Sequence, residues 1–369
     1  MSNVIQHYNY LHSVPEPGFA EFKTAAYASA KLQQAGFNVR SGLAGSTGLV
    51  AEYNSGMAGP VLCIRADMDC LTHVLNGQKV YRHTCGHDAH TAMLIAAGEK
   101  IISQQIVKRG MLKLLFQPAE ELGQGAKKIL ETNELDNVEY LLGMHIRPTQ
   151  ECVAGSIIAS MQYSATYIFT VVIKGYPSHG ARPHLGVNAI DAATAAIIAV
   201  NAVHVDPRIP HSIKCTRFKA DGGAFNAVPE DAEITFDLRA QNNATLEELL
   251  QKAKKAIEGG VASVGAQVTE YVEEFYCPAA CGLVPEMQEI IIAAAREIVG
   301  GDNIIPTLTT PGGEDFFHYT LKNPHIKAGF IGLGVGAEPG LHHPEMHFDS
   351  RYLENGVAML MGIVKRLLG

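Results

Sequence analysis

HTCGHDAH, residues 83–90, places one thiol, three imidazoles and one carboxylate within eight consecutive positions. An apolar run typical of a strand lies upstream of it, and residues 91–104 carry apolar side chains at helical spacing. Thiolates, imidazoles and carboxylates are the side chains that bind Zn²⁺ and similar ions in proteins. The stretch therefore predicts a metal centre at a point where a sheet meets a helix.

Further metal-binding side chains follow other apolar runs. Glu120 and Glu121 come shortly after the predicted strand of residues 111–116, His145 ends the next strand, and His342 follows the last one. The carboxyl ends of strands in an α/β sheet converge at one edge, so we expect these donors to meet. Together with residues 83–90 they supply enough ligands for two divalent ions.

Hydrolysis at two metal ions requires one carboxylate that stays free to act as a base. Two such ions lie about 3.5–4 Å apart and clamp an attacking oxygen between them. Glu120 and Glu121 suit this division, because neighbouring side chains in extended backbone point to opposite sides. Asp67 also follows a strand and is a candidate partner that orients a ligand histidine. His83 and His90 are weaker ligand candidates, with supporting or structural roles as alternatives.

The order of predicted elements indicates two domains. Strand and helix patterns alternate as far as residue 146, which is typical of an α/β sheet covered by helices. The next segment has the order β-α-β-β-α-β of a ferredoxin-like α+β unit. The first pattern then returns. We therefore predict a discontinuous catalytic domain of residues 1–163 and 276–369, interrupted by an inserted lid domain of residues 164–275.

Composition excludes several classes of protein. The chain has 369 residues, of which 47% are hydrophobic and 18% charged, so a large core is expected rather than disorder. A net charge of −8 disfavours nucleic-acid binding. No apolar run reaches the length of about 20 residues that a membrane span requires. Seven cysteines, an odd number, without a recognisable secretion signal favour reduced thiols and a cytoplasmic location.

Four motifs together resemble a known family. They are LHSVPEPGFAE (11–21), RADMD (65–69), HTCGHDAH (83–90) and QPAEE (117–121). They are similar to the motifs of two-metal amidohydrolases, which include aminoacylase, hippurate hydrolase, auxin-conjugate hydrolases and N-acetyldiaminopimelate deacetylase. The resemblance implies a mixed-sheet, zinc-peptidase-like catalytic domain with Glu120 as general base. It also implies a set of five metal ligands: Cys85, His87, Glu121, His145 and His342.

The resemblance extends to the inserted domain. GYPSHGARPH, residues 175–184, looks like the family's lid motif, in which His179 would bind the substrate carbonyl and its developing oxyanion. Asn226 is similar to a substrate-contacting asparagine, and Arg239 lies where some relatives bind a carboxylate. In relatives the lid often pairs with a second subunit, whose site His179 would then reach. The resemblance, together with the alanine-rich helix predicted at residues 188–203, implies a homodimer formed through the lid.

Some positions depart from the family pattern. Asp69 is followed by Cys-Leu-Thr where relatives usually have Ala-Leu-Pro, and residues 73–82 form a short stretch that begins with an additional imidazole, His73. The dipeptide His342-His343 offers two imidazoles for one ligand position, of which we favour His342. A thiolate ligand suits Zn²⁺, Co²⁺ or Ni²⁺, and mixed carboxylate and imidazole ligands also admit Mn²⁺.

The sequence therefore predicts a metal-dependent hydrolase that cleaves the amide bond of N-acyl amino acids or similar small conjugates. A dipeptidase or carboxypeptidase of the same family is one alternative. A second alternative is a hydrolase with Cys85 as nucleophile, activated by His87 or His90. A third is a binding module without catalysis, which would be expected to lack a ligand or the base.

Overall fold

The chain folds into two compact units in the computed structural model, which describes residues 2–369. Within the described residues the first unit comprises residues 2–162, Cys281–Thr309 and Asp315–Gly369, and the second comprises Tyr163–Ala280 and Thr310–Glu314. The short return to the second unit at Thr310–Glu314 has no counterpart in the predicted division. The catalytic and lid roles of the two domains stay predictions at this point.

Nine α-helices fall within the described residues. They are α1 (Asn3–His12), α2 (Phe22–Ala35), α3 (His87–Ser103), α4 (Gly125–Ile129), α5 (Ala189–Asn201), α6 (Asn243–Ser263), α7 (Pro285–Val299), α8 (Phe317–Lys322) and α9 (Leu353–Leu368). Helix α1 was not expected from the sequence, although its buried Val4, His7 and Leu11 recur at helical spacing.

The strands range in length from two to eleven residues. They are β1 (Asn38–Ser41), β2 (Leu49–Asn54), β3 (Val61–Asp67), β4 (Leu71–Leu75), β5 (Gln78–Arg82), β6 (Met111–Gln117), β7 (Tyr140–Pro148), β8 (Ile157–Ile158), β9 (Met161–Tyr163), β10 (Ala165–Lys174), β11 (Ser178–His179), β12 (His211–Ala220), β13 (Ala227–Val228), β14 (Asp231–Ala240), β15 (Gln267–Cys277), β16 (Ile304–Ile305), β17 (Leu308–Thr310) and β18 (Lys327–Ala337).

The first unit is built on an eight-stranded mixed sheet in the order β1-β2-β6-β3-β7-β18-β8-β16. Its four neighbouring strands β6, β3, β7 and β18 are parallel, whereas β1 and β2 pair antiparallel at one side. The parallel strands are almost wholly buried, as expected for strands covered on both faces. This sheet confirms the predicted α/β class, and it brings four carboxyl ends to one edge.

Helix α3 contains the second half of the stretch of residues 83–90. It is buried along most of its length and contacts α1, α2 and α9 as well as β3. Gly86 precedes it with a φ of +89°, a conformation that favours glycine, and a Cβ there would collide with the side chain of Ile146. Glycine is therefore required at this position to turn the chain between Cys85 and His87.

Strands β4 and β5 form a hairpin that the sequence analysis did not anticipate. They pair antiparallel from Leu71↔Arg82 to Leu75↔Gln78. Asn76 and Gly77 close the turn with φ values of +51° and +77°, which is the favoured chemistry of a two-residue hairpin. The stretch of residues 73–82 is thus an ordered hairpin next to the metal-binding stretch.

The second unit is a ferredoxin-like α+β fold, as predicted. Its antiparallel sheet has the order β12-β14-β10-β15, and α5 and α6 pack together against it. Asn242 caps α6 by accepting the N–H of Thr245 at 2.8 Å. Gly260 of α6 allows close approach to α5, because a Cβ there would lie 2.8 Å from Ala195 and Ala196.

This packing explains much of the alanine content of α5. Ala192, Ala193 and Ala196 are fully buried within their own unit, so a second subunit is not needed to cover them. Ile198 differs, since it is 65% exposed. Of the helices within residues 2–369, none combines the length and the apolar character of a bilayer-crossing segment.

Candidate metal centre

The predicted ligands meet at the carboxyl edge of the parallel strands. Cys85 and His87 flank the start of α3, Glu121 follows β6, and His145 lies in β7. His342 lies in the loop after β18, with a φ of +66°. All five belong to the first unit and come from four separate parts of the sequence.

Three clusters that each contain at least two of the predicted ligands have ligand atoms that all lie within 4.8 Å of one another. They are Cys85 with His87 and His145, Cys85 with Glu121 and His342, and His87 with Glu120 and Glu121. The Cys85 sulfur lies 3.4 Å from Nε2 of His145 and 3.3 Å from Nε2 of His342. Because Cys85 belongs to two clusters, its sulfur stands between two positions where an ion could be held.

Unpartnered buried atoms test whether these residues fit metal ions. Nε2 of His87 and Oε1 of Glu121 are buried without a hydrogen-bond partner, and they lie 3.7 Å apart. Zinc binds nitrogen and carboxylate oxygen at about 2.0–2.2 Å, so one ion between these two atoms would satisfy both. Oε1 of Glu121 also lies 3.4 Å from Nε2 of His342. The donor set therefore fits two divalent ions.

The pKa values of the buried side chains at the centre also favour a bound cation. Burial raises the pKa of Glu121 to about 7, and burial with the nearby Glu121 raises the pKa of the Cys85 thiol well above its ordinary value. Burial likewise holds the pKa of His145 well below its ordinary value. These three groups are thus pushed toward their neutral forms, because their buried charges lack compensation. His87 differs: burial acts to lower its pKa, but the charge of Asp67 outweighs this and holds that pKa well above its ordinary value. A divalent cation supplies that compensation and favours the deprotonated ligands.

Asp69 is the supporting residue that sequence reasoning missed. Its Oδ1 accepts hydrogen bonds from Nδ1 of His87 and from the backbone N–H of Glu120, each at 3.1 Å. Its Oδ2 accepts the backbone N–H of Glu121, also at 3.1 Å. One carboxylate thus orients a ligand imidazole and the backbone of both glutamates. The sequence signal was the second acidic residue of RADMD, just beyond the end of β3.

Asp67, which we expected to orient a ligand, contacts a different histidine. Its Oδ1 lies 2.6 Å from Nδ1 of His90, while its Oδ2 accepts from Arg65 at 2.6 Å and lies 3.9 Å from Nε2 of His87. His90 in turn accepts the N–H of Ile146 at its other ring nitrogen. Both nitrogens of His90 are thus engaged, and its ring also belongs, with Asp67 and His87, to a group of ligand atoms within 4.8 Å of one another. A supporting role stays the prediction for His90.

A buried ionic network lies beneath the centre. Arg65 donates to Asp67, to Asp315 at 2.8 Å and to Gln117 at 2.8 Å, and Gln117 donates to Asp315 in turn. Burial acts to raise the pKa of Asp67, but the charges of His87, His90 and Arg65 outweigh it and hold that pKa well below its usual range. Because breaking a buried ion pair leaves an uncompensated charge, this network holds Arg65, Asp67 and Asp315 in fixed positions.

The remaining histidines near the centre differ in their surroundings. His342 rather than His343 belongs to a ligand cluster, and the Nδ1 of His343 accepts the N–H of Glu345. Both ring nitrogens of His83 are buried without a partner, but within residues 2–369 it joins no cluster of ligand atoms. His73 lies on the hairpin with its Nε2 2.9 Å from Oγ1 of Thr84.

The predicted substrate-binding residues all lie in the second unit. His179 and Asn226 are neighbours there, since β11 pairs with β13 and Gly180 donates its N–H to the Asn226 carbonyl at 2.7 Å. Nδ1 of His179 accepts the N–H of Ala181 at 3.0 Å. Arg239 pairs with Asp237 at 3.0 Å and donates to the Pro311 carbonyl.

Comparison with known proteins relates the chain to one family. The model of peptidase family M20/M25/M40 matches residues 63–366. The chain is 30% identical over 358 residues to N-acetylcysteine deacetylase of Bacillus subtilis, covering 93% of this chain and 91% of that protein. It is 27% identical to IAA-amino acid hydrolase ILR1-like 4 of Arabidopsis thaliana, with 97% and 84% covered. A dinuclear metal-binding M20 peptidase of Bacillus subtilis superposes with a TM-score of 0.79 at 26% identity, with 99% and 97% covered.

Proposed function

This chain belongs to peptidase family M20/M25/M40, and on that premise we propose that it cleaves the amide bond of N-acyl amino acids or similar small conjugates. One observation carries the proposal: Glu120 lies beside a cluster of unsatisfied ligand atoms, with its Oε2 3.9 Å from Nε2 of His87. A base next to a two-ion centre is the arrangement that metal-assisted hydrolysis requires. The curated relatives named above act on small acylated amino acids, which supports this substrate class.

The metal ions supply a defined part of the chemistry. We propose that Cys85, His87, Glu121, His145 and His342 hold two divalent ions, which when bound polarise the amide carbonyl and lower the pKa of water. Zn²⁺ is favoured by the thiolate and Mn²⁺ is admitted by the oxygen and imidazole ligands, while Co²⁺ and Ni²⁺ also suit the set. The identity of the ions is open to direct measurement.

Glu120 would move the proton during the reaction. Its backbone is held by Asp69, so its carboxylate faces the cluster from a fixed position. It takes the proton of the attacking water and then delivers it to the amine nitrogen that leaves. Glu121, held by the other oxygen of Asp69, stays on the ligand side.

The second unit is proposed to bind the substrate. Nδ1 of His179 accepts the Ala181 N–H, so its proton resides on Nε2, from which it can be donated to a developing oxyanion. We propose this role for His179 in its own site or in that of a second subunit, with Asn226 as a further substrate contact. Arg239 is a weaker candidate for a substrate carboxylate, because Asp237 already neutralises part of its charge.

The nucleophilic role of Cys85 finds less support. Burial raises the pKa of its thiol, whereas a cysteine nucleophile is activated by surroundings that lower that pKa. One imidazole would be enough to activate a thiol, whereas the Cys85 sulfur lies within reach of two, those of His145 and His342, and clusters with Glu121 as well. A metal-ligand role uses all of these neighbours.

We propose that the protein forms a homodimer through the second unit and acts in the cytoplasm. The exposed Ile198 of α5 and the edge strand β12 favour a partner at this unit. Within residues 2–369 no disulfide bond joins any of the seven cysteines, which suits a reducing compartment. Sedimentation that finds only monomer at micromolar concentration would contradict the dimer.

A substrate panel tests the proposed function. The purified protein is treated with a chelator, reloaded with Mn²⁺, Zn²⁺ or Co²⁺, and assayed with acetyl, benzoyl and indoleacetyl amino acids and with dipeptides. We expect turnover of at least one acyl-amino acid only after reloading. A protein that binds two ions but cleaves none of these would argue for a different substrate class, and preferential dipeptide cleavage would favour a peptidase.

A further inference from the structure

The loop that carries the proposed base has an unusual backbone. Residues 118–124 lie between β6 and α4 without regular structure, and we call this segment the catalytic loop. Ala119, directly before Glu120, has a φ of +49°. Residues other than glycine seldom adopt this left-handed conformation, so surrounding contacts must hold it. The direction of the Glu120 side chain depends on this turn.

Two carboxylates hold three consecutive backbone amides of the loop. The N–H groups of Glu120 and Glu121 both point to Asp69. The preceding N–H, that of Ala119, donates to Oε1 of Glu21 at 2.8 Å. Asp69 also contacts the ligand His87. The hydrogen bond of Glu21 to the catalytic loop, in contrast, is made to a backbone N–H group.

Glu21 comes from a distant part of the chain and is fully buried. It immediately precedes α2, and its second carboxylate oxygen accepts the hydroxyl of Thr47. The neighbouring Gly18 packs on the same loop, since a Cβ there would lie 3.0 Å from the Cβ of Ala119 and 2.9 Å from Leu122. Burying a carboxylate is unfavourable unless its hydrogen bonds compensate. A buried Glu21 is therefore expected to have a structural or functional role.

We propose that Glu21 is a positioning residue for the general base. By holding the Ala119 N–H it fixes the left-handed turn that directs Glu120 and Glu121 to their separate tasks. This inference rests on the proposed function, because it takes Glu120 as the base. Glu21 itself touches neither the ligand clusters nor, on this view, the substrate.

Two substitutions of Glu21 test the role. Glu21→Ala removes the acceptor of the Ala119 N–H, and we expect kcat to fall about 10- to 100-fold, as small misplacements of catalytic groups do. KM should stay within about threefold and both ions should still bind at saturation, since the interaction acts on orientation. Glu21→Gln keeps an oxygen acceptor at the same place and should restore kcat to within about threefold of the wild type, as a neutral hydrogen bond replaces a charged one.

Glu16 provides the matched control. It lies in the same motif, and its carboxylate accepts the N–H groups of Lys23 and Thr24, each at 3.0 Å, at the start of α2. Glu16→Ala therefore weakens α2 without removing a bond to the catalytic loop. We expect a lower Tm with unchanged kcat, which separates a loss of stability from a loss of positioning. Thr47→Val replaces Glu21→Ala if that variant does not fold, with a smaller fall in kcat expected.

Several outcomes would overturn the proposal. Wild-type kcat in Glu21→Ala would do so, as would a loss that Glu21→Gln fails to restore or that Glu16→Ala shares. If the wild type cleaves no substrate of the panel, the proposed function fails and hydrogen exchange decides the inference. Faster exchange of the amides of residues 119–121 in Glu21→Ala but not in Glu16→Ala would support the positioning role of Glu21. Exchange at the wild-type rate in Glu21→Ala would overturn it.

Discussion

Nε2 of His87 and Oε1 of Glu121 lie 3.7 Å apart at the carboxyl edge of the sheet, both buried and both without a hydrogen-bond partner. A buried polar atom without a partner costs about 1–3 kcal/mol, and here two such atoms face each other. The two atoms are close enough for one cation to bind both. Their relationship is the most direct structural sign of a metal ion in this chain.

Removal of the metal is expected to destabilise the protein. An ion that binds only the folded state at a hundredfold excess over its Kd contributes about 2.7 kcal/mol. Chelation should therefore lower Tm, and addition of the divalent ion should restore it. Thermal unfolding with and without chelator measures the effect, and an unchanged Tm would contradict a metal centre built on His87 and Glu121.

Glu120→Gln should abolish most of the turnover while leaving the metal in place. The amide keeps the size of the side chain but cannot accept a proton, and general base catalysis contributes about 10²–10⁴-fold. Glu121→Gln is the informative comparison, because it should instead lower metal content. Metal analysis by mass spectrometry, combined with rates on the same samples, distinguishes the two. Full activity in Glu120→Gln would exclude it as the base.

Much of the fold could be predicted because its signals are local. The parallel strands are continuous apolar runs, and the order of elements after residue 164 defines the second unit. The roles of Asp69 and Glu21 could not be read in the same way. Both act on backbone N–H groups of residues 119–121, and such groups have no signature in the sequence. Only the folded chain shows which carboxylate meets them.

Two other features have a sequence signal that did not lead to a correct prediction: the β4–β5 hairpin and the packing of α5. The Asn76-Gly77 pair is a strong hairpin turn, but the flanking strands β4 and β5 are mixed in polarity and lack a clear alternation. The prediction of a dimer leaned on the alanines of α5, whereas close packing on Gly260 of α6 already buries three of them. Alanine content alone does not distinguish a helix–helix contact from a subunit interface.

Asp69→Asn is expected to weaken metal binding as well as turnover. The amide can still accept one N–H of the catalytic loop, but its NH₂ group faces a second donor. Substitution of a residue that orients a metal ligand typically lowers metal affinity about 10- to 100-fold. Titration of the metal-free protein measures this loss. Asp349→Asn, which changes a surface pair with Arg351, serves as a control and should bind metal normally.

Arg82→Ala should loosen the loop that carries His342. The guanidinium of Arg82 donates to the Pro344 carbonyl at 2.8 Å, and the N–H of His342 donates to the Thr84 carbonyl at 2.7 Å. Loss of one such hydrogen bond, worth about 0.5–1.5 kcal/mol, should lower the affinity for one ion about two- to tenfold. The other ion should be retained. Affinities for both ions that are unchanged from the wild type, as expected for the exposed control Lys79→Ala, would contradict this coupling.

Glu52 should make the stability of the first unit depend on pH. Hydrogen bonds from Arg40, at 2.6 and 3.1 Å, lower the pKa of Glu52 despite its partial burial, and Lys113 adds to the effect at 3.2 Å. A carboxyl whose pKa is lowered by folding stabilises the protein above its unfolded pKa, and this contribution disappears as pH falls through the folded pKa. Because Arg40 is 44% exposed, solvent screening limits the contribution to about 1 kcal/mol.

The pH dependence is best measured on metal-free protein, so that metal loss at low pH does not enter. In urea unfolding, Glu52→Gln should be less stable than the wild type by about 1 kcal/mol at pH 7. The difference should shrink toward zero as pH falls below about 4, where the wild-type carboxyl also becomes neutral. Glu345→Gln changes an exposed carboxyl and should show no such trend. A constant difference between Glu52→Gln and the wild type at all pH values would instead attribute the loss to packing around the side chain.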